Sequence, residues 1–245
     1  MPITFVQAKN SGNAGSSSAT RSVTLDAAVG AGNFICGTVT WGSGTTSDLT
    51  SITDDATGNT YTIKRRIADG TNGQSGADFY GWNIGNAPTT ITANFGSAQI
   101  YTGITVMEFS TVQSSSDPLD GTNEQGQLVA SPGTGTDGLT SGAGTMTPSA
   151  DNYLVTGFGI NTGAVNALGN SEFAAGTNFT ENAASEHQAA GDISLSAEYW
   201  IQTTATAANA SFTVAQNTAH LCFMMIFKVA SAAPSPDILM GQASL

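Results

Sequence analysis

Leu221-Cys222-Phe223-Met224-Met225-Ile226-Phe227 is the longest apolar run in the chain. Seven residues make a strand but only two turns of helix, and both alternate faces of the run are apolar. That is the pattern of a central strand covered on each side. Upstream, Tyr101-Thr-Gly-Ile104-Thr-Val106-Met107-Glu108-Phe109 alternates with period two. Ile104, Val106 and Glu108 share one face of such a strand, and Met107 and Phe109 share the other. Similar runs rich in Val, Ile, Thr and aromatics, bounded by Gly, Asn, Asp and Ser, predict further strands over 3–8, 21–25, 33–41, 60–67, 78–84, 89–95, 152–161, 194–203 and 210–214.

Composition agrees. Gly, Ala, Ser and Thr supply about half of the 245 residues and only 10% are charged, which suits many short strands joined by small-residue turns. The expected fold class is therefore all-β, a two-sheet antiparallel jelly-roll-like sandwich.

Sliding the sequence against itself matches the first part to the last at an offset near 119. Asn33-Phe34-Ile35 falls on Asn152-Tyr153-Leu154, and Asn59-Thr60-Tyr61-Thr62 on Asn178-Phe179-Thr180 after a one-residue slip. Tyr80-Gly81-Trp82 falls on Tyr199-Trp200, and Val106-Met107-Glu108-Phe109 on Met224-Met225-Ile226-Phe227. The reading is a single β-sandwich domain over 1–230 with pseudo-repeated halves, about 1–110 and 150–230. A Gly/Ser/Pro-rich excursion carrying Pro118, Pro132 and Pro148 joins them, and an extended tail, 231–245, follows. Each half has too few apolar positions for a closed core of its own, so one shared core is expected.

Charge narrows the partners. Six Lys and Arg stand against eighteen Asp and Glu, a net charge of −12, so there is no basic footprint for direct nucleic-acid binding. No apolar stretch is long enough to cross a bilayer, and the start Met1-Pro2-Ile3-Thr4-Phe5-Val6 lacks the basic and apolar regions of a secretory signal. Cys36 and Cys222 both fall in strand-like runs, and buried free thiols are the preferred reading over a disulfide.

Ser51-Ile-Thr-Asp54-Asp55-Ala-Thr-Gly58-Asn59-Thr60-Tyr61-Thr62 resembles the hairpin of a jelly-roll or lectin-like β-sandwich domain of phage virion structural proteins and bacterial surface proteins. Val39-Thr40-Trp41, Phe79-Tyr80-Gly81-Trp82-Asn83-Ile84, Val106-Met107-Glu108-Phe109-Ser110 and Asp117-Pro118-Leu119-Asp120 follow in that family's order. The resemblance implies a sandwich fold and a virion or cell-surface setting. It brings no shared catalytic residues. With no signal segment, the expectation is a non-enzymatic virion protein assembled in the host cytoplasm, such as a capsid decoration, head-fibre or tail-associated protein. The alternatives are a glycan-binding module in an extracellular or cell-surface setting and, third, a glycan-active enzyme. Its partners would be a capsid or tail subunit and copies of itself, with a trimer as the guess.

Candidate chemistry is sparse. His187 sits in a loop-like run, and His220 opens the final strand, where a satisfied strand-end histidine is preferred to a catalytic one. Glu108 and Glu198 are the strand acids best placed for a glycosidase pair, with solvated strand carboxylates as the preferred reading. Asp54, Asp55 and Asn59 around Gly58 are calcium candidates, ranked behind a β-turn in which these side chains bond their own backbone. Trp41, Trp82 and Trp200 are glycan-stacking candidates, ranked behind core packing because the aromatic pairs recur in both halves. In the tail, Pro234 and Pro236 block a ladder, and Ile238, Leu239 and Met240 follow as three adjacent apolar anchors for docking on a neighbouring subunit or particle.

Overall fold

The computed structural model describes residues 1–12, 15–129, 145–161, 173–182, 184, 193–214 and 219–231. His187 and the tail anchors Ile238, Leu239 and Met240 lie outside these residues. Among the described residues there is no α-helix, and every strand pair is antiparallel.

A first five-stranded sheet has the order β1-β8-β3-β6-β5, formed by Thr4–Asn10, Gly103–Ser110, Asn33–Trp41, Gln74–Ile84 and Thr62–Asp69. The second has the order β12-β13-β10-β15-β9: Thr180–Glu181, Leu195–Ile201, Leu154–Asn161, His220–Phe227 and Leu119–Val129. A three-stranded sheet, β2-β7-β4, comes from Ser18–Thr24, Thr90–Gln99 and Leu49–Asp54. The short pair β11-β14 comes from Phe173–Ala174 and Thr213–Val214.

Strand periodicity decides how these sheets stack. On β3, Phe34 and Cys36 join a central core with Phe158, Ile160, Leu221 and Phe223 of the second sheet. Ile35, Val39 and Trp41, on the opposite face of β3, pack with Val23, Leu49, Ile52, Ile91 and Phe95 of the three-stranded sheet. The last strand divides in the same way. Leu221, Phe223, Met225 and Phe227 face the central core, and Met224 and Ile226 face a third cluster with Val155, Phe179, Ala208 and Ala210. Its eight residues are all buried, as its two apolar faces required.

Two expectations are corrected here. Two sheets are too few: the two large sheets pack face to face, and each carries a further layer on its back. One shared core is too few as well. Apolar residues of 20–110 close one cluster and those of 146–226 another, on either side of the shared one.

The two large sheets use the same cross-strand register. Met107 lies opposite Cys36, and Cys36 opposite Tyr80, with Thr62 beyond; Met225 lies opposite Thr156, and Thr156 opposite Tyr199, with Thr180 beyond. Phe109 pairs with Phe34 as Phe227 pairs with Leu154. In this register Leu154, one residue after Tyr153, stands opposite Phe227 as Phe34 stands opposite Phe109. A one-residue slip turns a side chain to the other face of its sheet, and Tyr153 does pack on the third cluster rather than the central core.

The segment from Asp54 to Tyr61 is also corrected. β4 and β5 lie in different sheets, so it crosses between layers and is not a hairpin. β9 lies within the Gly/Ser/Pro-rich excursion. It has few apolar residues because it pairs only with β15 at the sheet edge, and Arg65 Nε of β5 donates to Glu124 Oε2 at 2.9 Å to link the two large sheets there.

Candidate functional site

The crossover around Gly58 is the best-defined polar constellation among the described residues. Gly58 takes a φ of +89°, in the left-handed region open to glycine. Asp54 Oδ1 accepts the Ala56 N–H at 3.0 Å, closing a turn. Its Oδ2 accepts from Asn59 Nδ2 at 2.8 Å and from the Tyr61 hydroxyl at 2.7 Å. Asn59 clamps the neighbouring strand end: its Oδ1 accepts the Gly85 N–H at 2.8 Å, and its Nδ2 donates to the Gly85 carbonyl at 3.0 Å. Asp55 points elsewhere and accepts the N–H groups of Thr89 and Thr90 and the Thr89 hydroxyl. Burial works against its charge, but these hydrogen bonds outweigh it and hold the carboxyl below its ordinary value.

The calcium candidates are therefore split. Asp54 and Asn59 meet, Asp55 does not join them, and both oxygens of each carboxylate accept hydrogen bonds from the protein. The side chains serve the turn and its anchor on the next strand. Beside them a cavity of about 220 Å³ is lined by Gly58, Asn59, Thr60, Trp82 and Asn83.

The three tryptophans do not form one platform. Trp41 is fully buried between β3 and the three-stranded sheet, and its Nε1 donates to the Thr45 carbonyl at 3.1 Å. Trp200 is half-buried against Phe179 in the third cluster, with the central layer between it and Trp41. Trp82 is half-buried at the margin of the central core, 5.8 Å from Tyr80 between ring centroids, and borders the cavity.

The acids are not solvated, which corrects the reading of Glu108 and Glu198. Glu108 is 1% exposed, and it accepts the Gly30 N–H at 2.9 Å and the side-chain amides of Asn33 and Gln7 at 2.6 Å each. Glu198 is 0% exposed and accepts the Gly176 and Ser211 N–H groups at 2.7 and 3.0 Å. Burial pushes its carboxyl up to about 8, against the pull of those two N–H groups and helped by Glu181. The two acids sit on different sheets, each on the face turned away from the central core, so no groove lies between them.

Asp69, Asp78 and Asp120 are buried too. Asp69 accepts the N–H groups of Thr71 and Asn72, Asp78 that of Arg65, and Asp120 the N–H and hydroxyl of Ser149. Each of these five buried carboxylates holds at least one backbone N–H of a loop or bulge. Sequence reading missed this use because such acceptors leave no spacing pattern.

His220 is buried at the start of β15, in register with Asn161 and Val129. Cys36 and Cys222 are both buried thiols. A second cavity, about 310 Å³, is lined by Met1, Pro2, Asn152, Val229 and Ala230.

No family model matches the chain, and no curated protein or solved structure does.

Proposed function

We propose that the chain is a non-enzymatic structural protein of a phage virion, a capsid decoration, head-fibre or tail-associated component, with a jelly-roll-like sandwich built from pseudo-repeated halves. The observation that carries the non-enzymatic part is the use of the buried acids. Each of the five accepts at least one backbone N–H of a loop or bulge, and Glu108 and Glu198 face no common groove. Carboxylates so employed brace a scaffold. The virion setting rests on the resemblance carried by the segment around Gly58 and the four short stretches that accompany it.

Support for the pseudo-repeat comes from the shared register and from ring packing between the sheets. Tyr80 of the first half meets Phe227 of the second edge-on at 5.2 Å, and Tyr199 of the second meets Phe109 of the first edge-on at 5.2 Å. Exchanged contacts of this kind are what a two-fold relation between equivalent surfaces produces. On this reading the chain assembles further as a homo-oligomer, a trimer, and the segment 231–245 docks on the neighbour through Ile238, Leu239 and Met240.

The test is co-sedimentation of purified protein with particles of the phage that encodes it, emptied of this component. Saturable binding, weakened by deleting 231–245 without a change in melting temperature, supports the reading. Failure to bind such particles, together with absence of the protein from purified virions, would overturn it.

A further inference from the structure

We propose that the cavity beside Trp82 is a binding site for the face of one neutral sugar ring. The inference does not depend on the virion reading, since its readout is ligand binding by the isolated chain.

The backbone makes this place unlike its counterpart. In the β3–β6 ladder Asn33 pairs with Ile84 and Ile35 with Gly81, so Trp82 and Asn83 together oppose Phe34 alone. That is a β-bulge, a device that re-aims a side chain and is enriched beside functional sites. In the second sheet the equivalent ladder runs without a break, Leu154 to Ile201 and Val155 to Trp200. Tyr80 has an aromatic equivalent in Tyr199, whereas the position of Trp82 is taken by Ile201. The recurrence that favoured core packing for the aromatics therefore does not extend to Trp82.

The bulge is held at a conformational cost. Asn83 has a φ of +52°, a left-handed conformation in a residue other than glycine, and its side chain is exposed. Strain of this kind persists where the surroundings over-determine it. Here they do. Asn59 ties the crossover to Gly85, two residues beyond Asn83, and Asp54 ties Asn59 and Tyr61. Both walls of the cavity are thus fixed before any ligand arrives, which lowers the ordering entropy that binding must overcome.

The lining gives the ligand class. Trp82 supplies an aromatic face backed by Tyr80, Thr60 an exposed hydroxyl, Asn83 an exposed carboxamide and Gly58 bare backbone. A pyranose offers an apolar C–H face for the indole and hydroxyls for amide and alcohol groups. None of the lining residues is charged, and the net charge of −12 opposes anionic ligands, so a neutral sugar fits better than an acidic one. About 220 Å³ is below the roughly 300–1,000 Å³ of sites for drug-sized ligands, which leaves room for a single ring.

Titrating the full chain with methyl glycosides of glucose, galactose, mannose and N-acetylglucosamine, while following the Trp82 indole N–H resonance, tests the site. At least one glycoside should shift that resonance saturably. Trp82→Ala, which lacks that indole and is followed through the Asn83 backbone amide resonance instead, should weaken the interaction about tenfold or more. Asn83→Gly should weaken it too while leaving the protein as stable as the parent, because glycine accepts the positive φ. The proposal is overturned if no glycoside moves the resonance at millimolar concentration, if Trp82→Ala binds as well as the parent, or if a proline-rich peptide binds there and the glycosides do not.

Discussion

Replacing Asp78 by Asn should make the protein more stable, and increasingly so as pH rises. Asp78 lies on the face of β6 that meets the second sheet, between Gly76, where a Cβ would touch Ile160 and Leu221, and Tyr80 against Phe227. It is 0% exposed; Oδ1 accepts the Arg65 N–H at 2.7 Å, and Oδ2 has no partner. Burial, offset in part by the Arg65 N–H bond and reinforced by Glu124, pushes its carboxyl from 3.8 up to about 7. The folded protein therefore keeps a proton that the unfolded chain has released. Below the unfolded value both states are protonated and the group costs nothing. Between about 4 and about 7 the folded state binds more protons, so stability falls as pH rises, and above about 7 the loss is complete.

At ~1.4 kcal/mol per pH unit, the span from pH 5 to about 7 gives an upper bound of roughly 3 kcal/mol, which relaxation around the charge reduces to about 1–2 kcal/mol. Asn keeps the acceptor for Arg65 and cannot ionise. Urea unfolding of both proteins at pH 5, 6, 7 and 8 measures the difference, and subtraction removes the parallel loss from Glu198, whose carboxyl is also raised, to about 8. A difference that stays constant with pH, or Asn less stable than Asp at pH 8, would refute the reasoning.

Three further outcomes follow from the packing. Gly37→Ala should abolish soluble folded protein, because its Cβ would lie 2.2 Å from the Thr105 carbonyl oxygen and 2.7 Å from Phe79, and backbone cannot yield; expression and circular dichroism decide it. Phe109→Ala and Phe227→Ala, at matched positions in the two sheets, should each cost about 3–5 kcal/mol in chemical denaturation, and a cost under about 1 kcal/mol at either would contradict the central core as described. A thiol-disulfide reagent should label neither Cys36 nor Cys222 in native protein and both after unfolding, since both are buried and burial, with Asp78 nearby, raises the Cys36 thiol well above its ordinary value. Labelling of native protein faster than global unfolding would count against that burial.

The amino-acid order alone determined the strands and their faces where burial is two-sided. Leu221–Phe227 and Ile104–Phe109 alternate because adjacent side chains point to opposite faces, and the core that each face meets selects its residues directly. The same rule brought Tyr80 into match with Tyr199 and Phe109 with Phe227, which hold like register positions in the two large sheets. It failed by one residue at Phe34, because an aromatic such as Tyr153 resembles Phe whichever face it occupies. Edge strand β9 was hidden for the complementary reason: Asn123, Glu124 and Gln125 fill a ladder with one pairing partner, and backbone hydrogen bonds carry no residue signature. Only the tertiary structure decided how many layers stack, which acids hold loop backbone, and that Trp82 borders a cavity. Each depends on contacts between residues distant in sequence: Glu108 reaches Gly30, Glu198 reaches Gly176, and Asn59 clamps Gly85 beside the Trp82–Asn83 bulge. Such contacts are set by the three-dimensional register of separate sheets, which no local pattern of residue types encodes.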